Sequence, residues 1–268
     1  MTKRLCVLLT NDDGYPADGL RRLYHSLTQH HDVTVVAPER EQSGVSHAFT
    51  YHRSFRARRL ASSEGMNGFV VCGTPCDCVK LGLAHLLETK PDVVVSGINV
   101  GENTGMAGHY SGTLAAAREA AFWRVTGIAF SVCEEGLSEM DACARTANSI
   151  VERLLEMHNN GIANEDRRIF FNVNFPACGP ELSKGVKITR QSLAFFDDRY
   201  RTEQETDAAT LFRLYGERKE PELSNGYDSR AVENGYIAIT PLHYDATADE
   251  ALGRMLKLEN KFWRTSET

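Results

Sequence analysis

Short, unbroken apolar runs alternate with amphipathic stretches along the first two-thirds of the chain. The runs are 5–9 (LCVLL), 33–36 (VTVV), 69–72 (FVVC), 93–95 (VVV), 128–132 (IAFSV) and 169–175 (IFFNVNF). None alternates with polar residues over its length, the pattern of strands covered on both faces. Between them, Leu20, Leu23, Tyr24 and Leu27 recur at i, i+3, i+4 and i+7, which predicts an amphipathic helix. Val79, Leu83, Leu86 and Leu87 predict a second helix, with Pro75 in its first turn. An alanine-rich third helix is expected over about 112–124. Met140, Ala144, Ala147, Val151 and Leu154 mark a long fourth one over 137–157. The first 38 residues read β-loop-α-β, a crossover that implies parallel pairing with a right-handed connection. Repetition of that unit predicts an α/β fold: a doubly wound, mostly parallel, Rossmann-like sheet forming a catalytic core over about residues 1–185.

The character changes after Pro176. Residues 186–190 and 236–240 are strand candidates. The stretch 195–225 mixes charges of both signs with Phe195, Phe196, Tyr200, Phe212 and Tyr215 but has no periodic face. Such a stretch is an exposed arm or a segment ordered by a partner, so residues 186–268 are expected to form an extended C-terminal arm or hairpin plus closing strands. Residues 48–60 look extended and basic, and Arg53, Arg56, Arg58 and Arg59 are expected on a solvated hairpin.

Composition narrows the function classes. A chain of 268 residues with 42% hydrophobic and 25% charged residues is ordinary for a globular protein with a sizeable core. The net charge of −6 gives no general attraction to nucleic-acid duplexes or anionic membranes. The apolar run behind Lys3 and Arg4 is five residues long, short of the roughly 7–15 of a secretory signal, and no run approaches the ~18 of a membrane span. A cytoplasmic protein is expected. Seven cysteines, an odd count, exclude a complete disulfide framework, and Cys72, Cys76 and Cys78 do not have the usual zinc spacing; buried reduced thiols are expected.

The chemistry concentrates where predicted strands end. Residues 91–120 combine a buried strand, a loop carrying Gly97, Gly101, Gly105 and Gly108 among Asn99, Asn103 and Thr104, and a helix opening at Ser111, Gly112 and Thr113. Such a unit aims N–H groups and small polar side chains at an anion. In a parallel sheet, ligands bind beyond the carboxyl ends of the strands. Three segments end there, each beside a glycine: Asn11-Asp12-Asp13-Gly14, Gln42-Ser43-Gly44 and Ser96-Gly97-Ile98-Asn99. Two carboxylates with a hydroxyl and an amide oxygen suit a hard cation such as Mg²⁺ or Mn²⁺. Alone, Asp-Asp-Gly would be a turn with a helix cap. A helix N-terminus supplies about 0.3–2 kcal/mol, whereas the slowest phosphate-monoester hydrolyses need on the order of 28 kcal/mol of acceleration. The helix can position a phosphate but cannot drive the reaction without a metal.

These segments closely resemble the SurE family. The resemblance rests on NDDG, APEREQSGVSHAFT, GTPCDCVKLGL, PDVVVSGINVGENTG…YSGTLAAAREA, FFNVNFP and YDSRAVENGYIAITPL, in order over roughly residues 4–245. Asp18 and Ala238 stand where the family usually has Pro and Ser. The resemblance implies a metal-dependent nucleotidase and acid phosphatase releasing phosphate from nucleoside 5′- and 3′-monophosphates, other small phosphomonoesters and in some members short polyphosphate. It places one divalent cation per subunit (Mg²⁺ or Mn²⁺) on Asp12, Asp13, Ser43 and Asn99. Catalysis is then expected of Asp12, Asp13 and Asn99, by attack of a metal-bound water. Substrate phosphate is expected at Ser111, Gly112 and Thr113, with Asn103 nearby. The resemblance also implies a homodimer or homotetramer formed by exchanging the C-terminal arm. His109 is a candidate proton donor or an ordinary surface histidine.

Two other classes fit parts of the pattern. A phosphatase with an aspartyl nucleophile is disfavoured because such enzymes of the haloacid dehalogenase type space their aspartates as Asp-x-Asp, whereas Asp12 and Asp13 are adjacent. A non-catalytic nucleotide sensor has no need of an open-sided carboxylate metal site.

Overall fold

A computed structural model describes residues 4–158, 160, 169–206 and 208–258. The N-terminal half runs β1 (Cys6–Thr10), α1 (Asp18–Thr28), β2 (Asp32–Pro38), β3 (Ala57–Arg59), β4 (Gly68–Val71), α2 (Pro75–Leu81), β5 (Val93–Val100) and α3 (Gly112–Phe122). It continues through β6 (Thr126–Val132), α4 (Met140–Met157), β7 (Ile169–Phe175) and β8 (Val186–Ile188). Four short strands follow, β9 (Phe195–Phe196), β10 (Arg199–Glu205), β11 (Thr210–Tyr215) and β12 (Arg218–Lys219). The last elements are α5 (Asp228–Glu233), β13 (Ile237–His243) and α6 (Asp249–Leu256).

Nine strands form one sheet in the order β3-β4-β2-β1-β5-β6-β7-β13-β8. From β4 to β7 all pairings are parallel. β3 is antiparallel to β4, and β13 is antiparallel to β7 with β8 parallel beside it. The doubly wound, mostly parallel sheet expected from the apolar runs is present. The runs are unbroken because both faces are covered. Val7, Leu9, Val35 and Val95 pack with Leu20, Leu23 and Leu27 of α1 and with Cys143, Ala147 and Val151 of α4. Leu8, Val36 and Val94 pack on the opposite face with Val79 of α2 and with Ala116 and Ala120 of α3. Strand order reverses between β1 and β5, so the loops leaving these strands diverge and open a crevice at the carboxyl edge.

Two stretches differ from the sequence reading, and a third takes the exposed hairpin form expected of it. Within 48–60 only Ala57–Arg59 is a strand. Residues 46–50 instead hang on side chains of the neighbouring helices. The Thr50 N–H and hydroxyl both donate to Asp77, at 2.8 and 2.7 Å, and His47 pairs with Glu119 at 2.8 Å. Arg56 and Arg58 are engaged with Glu39 and Glu64 rather than simply solvated. The fourth helix begins at Met140, after a tighter turn over Glu134–Glu139 that leaves Leu137 exposed. β9 with β12 and β10 with β11 form two small ribbons that, among the described residues, pair only with themselves. They leave Tyr200, Phe212 and Leu214 exposed.

Candidate metal and phosphate site

Asp12 and Asp13 follow β1 in a turn closed by Gly14. The Asn11 side-chain amide donates to the Gly14 carbonyl at 2.8 Å, and Gly14 has φ +91°, a conformation that favours glycine. A Cβ at Gly14 would also lie 3.1 Å from the Arg40 backbone, so this turn packs directly on the loop leaving β2. That loop is fastened by the Gln42 N–H, which donates to the Asp12 carbonyl at 2.7 Å.

Asp12 is 3% exposed and its carboxylate sits over the start of α3. Thr113 donates to it twice, from its N–H at 3.0 Å and its hydroxyl at 2.5 Å. Gly112 has no side chain because a Cβ there would lie 2.8 Å from the Asp12 Cβ. The helix N-terminus expected to face a phosphate therefore first holds a carboxylate, by the same attraction of N–H groups for anions. Ser111 caps α3, its hydroxyl oxygen accepting from the Leu114 N–H at 3.2 Å; the hydroxyl proton remains available to donate outward.

Burial raises the Asp12 carboxyl above its usual range even though Thr113 opposes the rise. Asp13 is pushed up to about 7, chiefly by burial and then by the charges of Asp12 and Glu41. Two adjacent, desolvated carboxylates are unfavourable as neighbours unless a cation joins them. Asn99, at the end of β5, donates its amide nitrogen to the Val100 and Gly101 carbonyls at 3.0 and 2.7 Å, which leaves its amide oxygen as the free end. At the same strand ends the Thr10 hydroxyl, the Asn11 amide oxygen and the Ser96 hydroxyl are buried with no hydrogen-bond partner among the described residues. This donor set, oxygen throughout, fits a hard divalent cation. Ser43 is exposed and its hydroxyl donates to Glu41 at 2.9 Å, which puts it at the rim.

Among the described residues one group of three His, Cys, Asp or Glu side chains has its ligand atoms within 4.8 Å of one another, His47, Cys76 and Glu119. Glu119 is 2% exposed and already takes His47, Lys80 (3.0 Å) and Trp123 (2.8 Å), and burial pushes the Cys76 thiol up to about 12. A neutralised carboxylate and a protonated thiol make this an anchor for the loop carrying Ser43. All seven cysteines are free.

The family model described as "Survival protein SurE" matches residues 7–198. The chain belongs to the SurE family. It is 39% identical over 254 residues to a "5'-nucleotidase SurE" of Nitratidesulfovibrio vulgaris (strain DP4), covering 94% of this chain and 99% of that protein. It is 36% identical over 269 residues to the "5'-nucleotidase SurE" of Cytophaga hutchinsonii, covering 98% of both. The crystal structure of a SurE protein from Aquifex aeolicus superposes with a TM-score of 0.80 at 34% identity, over 95% of this chain and 99% of that one.

This SurE-family chain also uses Asn172, Asn174 and Asp228, which motif spacing did not single out as part of the site. Asn103 is held from three sides: its N–H donates to Asn174, its carbonyl accepts from Asn172 and its amide donates to Ser131, each at 2.8 Å. Asn174 closes the ring by donating to Asn172 at 3.1 Å. Asn103 is thus a fastening of the glycine loop to β6 and β7. Two residues on, the Gly105 N–H donates to the fully buried Asp228 at 3.2 Å, and burial raises that carboxyl too. The periodicity of Asn172 and Asn174 was that of a buried strand; two inward asparagines in an apolar run were the available signal. His109 is exposed, with its ring 3.4 Å from the Gln191 amide. No helix among the described residues is long and apolar enough to cross a membrane.

Proposed function

We propose that this SurE-family chain is a metal-dependent phosphomonoesterase that releases phosphate from nucleoside 5′-monophosphates, and from 3′-monophosphates, using one Mg²⁺ or Mn²⁺ per subunit. The observation that carries this reading is the pair Asp12 and Asp13, desolvated side by side where strand order reverses, with Asn99 at the adjacent strand end holding its amide nitrogen on backbone carbonyls and its amide oxygen unbonded. Asp12, Asp13, Asn99 and Ser43 would hold the cation, Ser43 after its hydroxyl leaves Glu41. A bound divalent cation supplies charge to polarise the phosphoryl group and lowers the pKa of water, the nucleophile in this reading. Thr113 keeps Asp12 oriented, and the free proton of the Ser111 hydroxyl and the Gly112 N–H are the donors proposed for phosphate oxygens.

Water is favoured over an aspartyl nucleophile because Asp12 and Asp13 are both committed to the cation in this reading, and because they are adjacent rather than spaced as Asp-x-Asp. A single displacement by water inverts a chiral thiophosphate, whereas an aspartyl-phosphate route retains configuration. The sensor alternative gives no release at all. The deciding experiment is phosphate release from a panel of nucleoside 5′- and 3′-monophosphates, with EDTA and with each metal restored; activity unaffected by exhaustive chelation would refute the reading. The exposed aromatics of residues 195–215 support a homodimer or homotetramer joined through this arm, in a protein that works in the cytoplasm.

A further inference from the structure

Two clefts flank the proposed metal residues along the carboxyl edge of the sheet, and their charges are opposite. On the β2 and β4 side lies a cleft of about 650 Å³ lined by Arg40, Arg53 and Arg56 against one carboxylate, Glu39. On the β6 side lies one of about 430 Å³ lined by Glu102, Glu134 and Glu135 against one cation, Arg218. Both border the site. Gln42, which lines the basic cleft, donates to the Asp12 carbonyl, and Gly101, which lines the acidic one, accepts from Asn99.

The pairing inside each cleft sharpens the contrast. Arg56 is taken by Glu39 at 3.1 Å and Arg40 lies in the field of the same carboxylate, but among the described residues neither Arg40 nor Arg53 forms a close ion pair. Arg218 is taken by Glu102 and by the Thr104 hydroxyl at 2.6 Å, while Glu134 and Glu135 stay exposed. An unpaired arginine in a concave surface is a fork of donors suited to phosphate. Exposed carboxylates repel one, and a cleft focuses either field.

We propose that the basic cleft is the leaving-group subsite, and that Arg40 and Arg53 select substrates whose leaving group carries a second phosphate, such as a nucleoside 3′,5′-bisphosphate. The inference rests on the phosphomonoesterase reading and deepens it. In the reaction a water oxygen bonds to phosphorus, the ester P–O bond breaks, and the departing oxygen takes a proton. The second phosphate remains on the product and takes no part in bond making. Arg40 and Arg53 act by binding alone, so their effect falls on KM more than on kcat.

The test compares adenosine 3′,5′-bisphosphate with adenosine 5′-monophosphate at low ionic strength. We expect kcat/KM for release of the 5′-phosphate to favour the bisphosphate by about three- to tenfold, the scale of two exposed charge pairs. Arg40→Gln with Arg53→Gln brings the ratio close to one, as does high salt. Glu134→Gln with Glu135→Gln, in the opposite cleft, leaves it standing. A wild-type ratio of one or below, or a ratio unmoved by the arginine substitutions, overturns the proposal. Calorimetric titration of the same two ligands gives the comparison without turnover. If neither compound is hydrolysed, the phosphomonoesterase reading fails while the titration still decides the cleft.

Discussion

The raised carboxyl of Asp13 makes the stability of the metal-free protein depend on pH in a direction opposite to that of carboxylates held in ion pairs. Asp13 moves from an ordinary 3.8 to about 7 because burial and the neighbouring Asp12 and Glu41 charges disfavour ionisation. A carboxyl held above its unfolded value contributes stability that is fully present below about 3.8 and is lost as pH rises towards 7. At 1.36 kcal/mol per pH unit the displacement bounds the loss at about 4 kcal/mol. Asp13 is partly exposed, and screening by water reduces this to about 1–3 kcal/mol. With an unfolding entropy of about 2.1 cal/mol/K per residue, that is a fall in Tm of roughly 2–5 °C. The assay is thermal unfolding in EDTA from pH 5 to pH 8, wild type beside Asp13→Asn. The difference between the two isolates Asp13 from the histidines that titrate in the same range. The wild type should lose its margin relative to the variant as pH rises, and Mn²⁺ should restore it, more at pH 8 than at pH 5. A difference that stays flat with pH, or equal stabilisation of both proteins by Mn²⁺, would refute the reasoning.

Three further outcomes are expected. Thr113→Val removes the hydroxyl bonded to Asp12 at 2.5 Å from a fully buried position; losing a charge-assisted bond worth about 1.5–3 kcal/mol should weaken Mn²⁺ binding on calorimetric titration by about tenfold or more. Asn174→Leu leaves the Asn103 N–H and the Asn172 oxygen unpaired and buried. At about 1–3 kcal/mol each, Tm should fall by roughly 4–11 °C, with kcat reduced at temperatures where the variant is fully folded; unchanged kcat would show that the loop keeps its shape without this fastening. Deleting residues 195–219 should lower the oligomeric state seen by light scattering, and an intact chain already monomeric there would rule out association through the arm.

The alternation of helices and strands was legible because it is local. A strand covered on both faces must be apolar throughout, so β1, β2, β5, β6 and β7 announce themselves, and the stripe of Leu20, Leu23 and Leu27 does the same for α1. The turn at Gly14 was legible because few residues other than glycine take its φ. The positions of Thr113 and Asn103 were not. Each is decided by a partner far along the chain, Asp12 for one and Asn172 and Asn174 for the other, and a loop's own residues do not name such partners. The fold of residues 46–50 was hidden for the same reason, being set by the buried Asp77 and Glu119. Nor did any periodicity indicate that β13 would enter antiparallel between β7 and β8.

That insertion sets an order on the making of the protein. Among the described residues β8 pairs with nothing in the main sheet except β13, and β7 has β13 along its outer side. During synthesis every proposed metal residue leaves the ribosome early. The edge of β7 nevertheless stays unpaired until residues 237–243 follow the arm out. Leu242 and Tyr244, at the end of that same strand, also pack on the cluster of Leu114, Ala117 and Ala121, on the helix whose first turn holds Asp12. A nascent chain stalled before residue 237 therefore presents an open strand edge to its neighbours, the usual starting point for aggregation.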